Sequence, residues 1–173
     1  MRVRLLTLRP EDIRAAATAL RCSRAAVEAV IAVEASGSGF LDLADGGPGD
    51  GGPGGGPSGG GDRGGRPKIL FEAHHFDRLT GGRFRAAHPD LSAPTWDAAR
   101  RHYAGGAGEW DRLNRALGLD ATAALEAASW GAFQIMGFNH DLCGFLTVER
   151  FVDAHKRGAR EHLDAFVAYV IAR

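Results

Sequence analysis

The chain has 173 residues, enough for one domain with a sizeable core and too few for two ordinary ones. Lys plus Arg and Asp plus Glu are each 21, so the formal net charge is zero and no polyanion-binding footprint is encoded; nucleic acid is not an expected partner. The 45% apolar content is that of a globular protein, no stretch approaches the roughly 20 apolar residues of a membrane span, and much of the excess among 25 glycines is local.

The N-terminal residues are broken by Arg4 and Arg9 before any apolar run long enough for a signal peptide. The product is therefore expected to be cytoplasmic as synthesised, without membrane insertion. Cys22 and Cys143 form no Cys-x-x-Cys pair and read as buried free thiols.

Pro10-Glu11-Asp12 opens a helix with Ile13, Ala16, Ala17 and Leu20 at helical spacing. Ser23 caps a second helix whose apolar residues, Ala26, Val27, Val30, Ile31 and Val33, predict burial. That helix closes on Glu34, and Gly37 and Gly39 then let the chain turn. A glutamate at the C-terminal end of a buried helix feels the negative end of the dipole and a low dielectric, both of which favour its protonated form. A general acid working near neutral pH needs that property.

Residues 46–65 form a Gly-dominated tract that cannot bury a core and reads as a disordered surface loop. Pro67–Glu72 then looks like a short strand that pairs with Phe40–Leu43 as a hairpin across that loop, returning Glu72 toward Glu34. His74-His75 begins a helical turn. Between Arg83 and Gly108 the periodicity is weak, with one short helix near Trp96–Tyr103. Glu109–Leu117 is a helix stopped by Gly118, and Asp120 caps an alanine-rich helix over Ala121–Ser129. Thr147 caps a helix carrying Val148, Phe151 and Val152; Leu163, Phe166, Val167 and Val170 mark the last helix, which runs to Arg173 without a stop signal, as in a C-terminally truncated domain. The fold class is mainly α (α+β), with a small hairpin beside a cleft.

Two carboxylates, Glu34 and Glu72, and an aromatic and amide group, Trp130, Phe133, Gln134, Phe138 and Asn139, are the candidate chemistry. Aromatic faces stack on pyranose rings while amides and carboxylates bond sugar hydroxyls and acetamido groups, and Ser36 in the Ser/Gly turn is a further substrate-binding candidate. Glycoside hydrolysis needs a proton donor and a second carboxylate or positioned water. Ile135 and Met136 read as core. Glu72-x-His74-His75 lacks the spacing of a zinc motif, so no metal or other cofactor is expected, and one histidine is expected to hydrogen-bond near Glu72.

Three ordered stretches, Val33-Glu34-Ala35-Ser36-Gly37-Ser38-Gly39-Phe40, Arg66–Phe76 and Ala128-Ser129-Trp130-Gly131-Ala132-Phe133-Gln134-Ile135-Met136-Gly137, resemble the phage-type N-acetylmuramidase (endolysin) family of the lysozyme-like superfamily. The resemblance implies one lysozyme-like domain over residues 1–173, with the Gly-rich tract as an insertion. It also implies cleavage of the β-1,4 bond between N-acetylmuramic acid and N-acetylglucosamine, with a peptidoglycan strand as the partner of a monomer. Glu34 matches the family's catalytic glutamate, Glu72 a second one, and Gln134 a cleft residue. A lytic transglycosylase using the same acid and a non-catalytic wall-binding remnant are the alternatives. Family members of this kind continue into a Tyr-Asn-Gly segment not found here, and reach the wall by a separate release route.

Overall fold

The computed structural model describes residues 7–34, 39–41 and 66–173. The Gly-rich tract, Ser36 and the proposed strand residues Asp42 and Leu43 lie outside them.

Helix α1 (Pro10–Ala19) starts with proline in its first turn, where the missing N–H costs nothing, and Asp12 reaches back to the Arg9 N–H at 2.9 Å. Helix α2 (Arg24–Glu34) begins where the Ala26 N–H donates to the Ser23 hydroxyl. Only Val27 of α2 is buried, so the burial predicted for this helix is not realised. Its alanines are exposed because α2 touches the rest of the described structure through one edge, in a small cluster with Ala16 and Ala17 of α1 and Leu163.

Strand β1 (Ile69–Phe71) leads into α3 (Ala73–Leu79). After an irregular stretch come α4 (Trp96–Ala99), a 3-10 turn over Arg100–His102, α5 (Gly106–Leu117) and α6 (Ala121–Glu126). Strands β2 (Ala128–Trp130) and β3 (Ile135–Met136) follow, then a 3-10 turn over Gly137–Asn139, α7 (Val148–Arg157) and α8 (Ala159–Ala172). Thr95, Asp120 and Thr147 each accept a backbone N–H at their helix starts.

The sheet is antiparallel in the order β1-β2-β3, with Ile69 opposite Trp130 and Ser129 opposite Met136. The expected antiparallel pairing of the Phe40 segment is present at Phe40–Pro67, where the Leu41 N–H donates to the Arg66 carbonyl, while Asp42 and Leu43 lie outside the described residues; β1 itself pairs with β2. One expectation is corrected. The alanine-rich helix ends at Glu126, because Ala128–Trp130 is taken into the sheet, where Trp130 becomes fully buried. Helix propensity is a weak prior against that much burial.

Ile69, Phe71, Trp130 and Ile135 face the main core, with Phe76, Leu113 and Phe151. Leu70 and Met136 are half-buried, which separates Met136 from the core role expected of it. Cys143 is buried, but Cys22 is exposed, because it lies in the turn between α1 and α2.

Candidate active site

The peptide of Lys68 is where the chain's three notable stretches meet. Its N–H donates to the Gly39 carbonyl at 2.8 Å. Its own carbonyl accepts the Gly131 N–H at 2.8 Å and the Gln134 side-chain amide at 3.4 Å. Gly39 is also seated directly on Ala132; a Cβ at Gly39 would lie 2.7 Å from Ala132 atoms, and its φ is +74°. The segment following Glu34, the segment preceding Glu72 and the β2–β3 turn are thereby tied together.

Glu34 is the last residue of α2 and is exposed. The helix-terminus setting predicted for it is present, whereas burial does not supply the low dielectric. Glu72 follows β1 and stands at the N-cap of α3 with a largely buried side chain. The Tyr103 hydroxyl donates to its Oε2, and His74 Nδ1 lies 3.3 Å from the same oxygen without a hydrogen bond, so the expected histidine is beside Glu72 but not bonded to it. No hydrogen bond to Oε1 is made among the described residues. Tyr103 ionises well above the ordinary phenol range, chiefly because burial disfavours the phenolate and secondly because Glu72 accepts its proton.

The β2–β3 turn is tight. Gly131 (φ +70°) is confined because a Cβ there would press on His155 and His162 at 2.8 Å. Gln134 has φ +47°, a conformation costing a non-glycine residue on the order of 1 kcal/mol. Its amide holds it there: Oε1 accepts the Ser129 hydroxyl at 2.7 Å and Nε2 donates to the Gly131 carbonyl at 2.8 Å. Below the turn, His162 Nδ1 accepts the Ala132 N–H and Nε2–H donates to the His155 carbonyl, which fixes the neutral tautomer. Burial pushes His162 down to about 4 and His155 to about 3, and Phe40 stacks on the His162 ring at 4.7 Å.

Over residues 56–173, more than half of its length, the sequence matches the N-acetylmuramidase family. The chain belongs to that family. Its fold is that of the crystal structure of the Burkholderia AP3 phage endolysin, at 39% identity and a TM-score of 0.76. The match covers 96% of this chain and 56% of that endolysin, so the chain spans little more than half of that neighbour's length. Comparison with curated protein sequences gives no match.

Within this muramidase fold the candidate sugar-binding residues separate. Gln134 is exposed in the turn beside Gly39 and Lys68. Phe138 is half-buried against the edge of His75, with the Arg78 guanidinium over its ring at 5.6 Å, and so belongs to the α3 side near Glu72. Asn139 is half-buried in the adjoining 3-10 turn. Phe133 stacks on Phe166 of α8 at 4.5 Å. Trp130 is a correction: it is 0% exposed, its indole N–H donates to the Leu125 carbonyl, and it presents no face to a ligand.

Three residues escaped the sequence reading. Tyr103 reaches Glu72 from the 3-10 turn after α4. Glu109 and Arg112 are buried charges on α5, paired at 2.8 Å. Glu109, Arg112, Leu113 and Ala116 form a stripe at i, i+3, i+4, i+7, so the signal was a charged pair within the helix's buried face.

Proposed function

We propose that this domain is a peptidoglycan hydrolase that cleaves the β-1,4 bond between N-acetylmuramic acid and N-acetylglucosamine. The observation that carries the reading is the convergence at Lys68 of the three stretches that hold Glu34, Glu72 and Gln134. Membership of the N-acetylmuramidase family and likeness to an endolysin support it.

Glu34 protonates the glycosidic oxygen as the bond to the anomeric carbon breaks. Water adds to the oxocarbenium-like carbon and gives up a proton, leaving a reducing N-acetylmuramic acid end, and Glu72 supplies the second carboxylate of the pair. Gln134, Phe138 and Asn139 line the sugar path, together with Ser36. Phe133 flanks them. Residues 1–173 act as one lysozyme-like domain, a monomer on the glycan strand, and the Gly-rich tract is an insertion within it. The protein reaches the wall by a separate release route.

Digestion of purified peptidoglycan followed by mass spectrometry of the soluble fragments tests this. Reducing N-acetylmuramic acid ends are expected. Anhydro ends would assign the same acid to a transglycosylase, and binding without fragments would make the domain a wall-binding module.

A further inference from the structure

We propose that Tyr103 is a positioning residue for Glu72, clamping one carboxylate oxygen so that the other stays free for water or a sugar hydroxyl. The inference rests on the reading of Glu72 as a member of the catalytic pair and adds a residue to it.

The geometry has two independent parts. Both contacts to the Glu72 carboxylate, the Tyr103 hydroxyl and His74 Nδ1, fall on Oε2, and Oε1 makes no hydrogen bond among the described residues. A carboxylate held at one oxygen by a phenol keeps its second oxygen's lone pairs for water or a sugar hydroxyl. The second part is the frame that brings Tyr103 and Glu72 together. The fully buried Glu109 carboxylate accepts the Phe71 N–H at 3.1 Å through Oε2, and the Ala104 and Gly105 N–H groups at 2.6 and 3.1 Å through Oε1. Phe71 immediately precedes Glu72, and Ala104 immediately follows Tyr103. Arg112 closes the frame: it donates to Glu109 at 2.8 Å and to the Phe71 carbonyl at 2.9 Å, and its guanidinium lies 5.8 Å from the centre of the Tyr103 ring. One buried ion pair thus sets the backbone on both sides of the Tyr103–Glu72 bond.

Two measurements on the full chain test the proposal, and the first needs no activity. The protein has two tyrosines. With the ring carbons bearing oxygen labelled, the Tyr103 signal, assigned by its loss in Tyr103→Phe, is expected to move as pH falls through the carboxylate range. That movement should vanish in Glu72→Gln. If the Tyr103 signal follows pH identically in wild type and Glu72→Gln, the clamp does not exist and the proposal is overturned.

The second measurement is kinetic, on soluble peptidoglycan fragments. Tyr103→Phe keeps the ring and removes only the donor. It is expected to lower kcat by about tenfold to a hundredfold with KM little changed. In a Glu72→Gln background the same change should have no further effect. An equal loss in both backgrounds, or a change confined to KM, would give Tyr103 a purely structural or binding role. A wild-type chain that releases no fragments would sink the hydrolase reading, while the labelled-tyrosine titration still decides the clamp.

Discussion

Removing the acid group of Glu34, the proposed proton donor, while keeping its shape should cost on the order of a hundredfold or more in kcat, the range that general acid catalysis supplies. Glu34→Gln assayed on purified peptidoglycan beside wild type measures this, with circular dichroism showing the fold unchanged because Glu34 is exposed. A different kind of residue stands a few positions on. Gly39→Ala is expected to destabilise by about 1–3 kcal/mol in urea unfolding, since it combines a positive φ with a Cβ pressed on Ala132. At this scale the sequence was informative about residues that need backbone freedom or a local amide bond. Gly39 and Gln134 stand out because a small residue and an amide each have a recognisable use, and both are held in the structure as such. Trp130 misled for a physical reason: an aromatic in a Gly-rich stretch has the same spelling whether it lines a cleft or fills a core. Only its pairing opposite Ile69 decides the matter.

Among the secondary-structure elements, α5 carries the arrangement least visible in one dimension. Its Glu109–Arg112 pair bonds to the turn just before α5 and, far off in sequence, to β1 and to the Asp90 carbonyl. Glu109→Ala should leave Arg112 charged, buried and unpaired, and is expected to cost about 3–5 kcal/mol by chemical denaturation. An effect below about 1 kcal/mol would mean that water replaces the carboxylate easily. Helix starts were legible, since Ser23, Asp120 and Thr147 satisfy local N–H groups with their own side chains. The end of α6 was not, because the strand that cuts it short gains its stability from β1, far back in the chain. Sheet partners are a tertiary choice, and the sequence around Phe40 alternates no less plausibly than that around Ser129.

For the whole molecule, buried neutral histidines make acid the expected route to unfolding. His155 and His162 are held near 3 and 4 by burial, against an ordinary value of 6.5. Between 6.5 and those values the unfolded chain binds more protons than the folded one, so stability rises with pH across that window. It is fully present above 6.5 and is lost as pH falls toward 4 and then 3, at roughly 1 kcal/mol per pH unit for each imidazole. Asp12 and Asp77, both lowered first of all by hydrogen bonds from arginines, add further loss below 3.8. Urea midpoints at pH 7, 6, 5 and 4 should therefore decline steadily; a flat profile from 7 to 5 would contradict burial of the pair in neutral form. Because His162 supports Ala132 and stacks on Phe40, this loss falls on the structure that joins the three stretches at Lys68. The two-cluster core could be anticipated in part from helical periodicity, but the histidines joining α7, α8 and the β2–β3 turn could not, since nothing local distinguishes them from surface histidines.

The proposed role of Glu34 is that of the acid in a muramidase site. Its most direct measurement is the chemical identity and yield of ends released from purified peptidoglycan by wild type and by Glu34→Gln at equal fold content. Reducing N-acetylmuramic acid ends from wild type, and a loss of about a hundredfold or more in Glu34→Gln, are predicted. Equal release by the two proteins would contradict it.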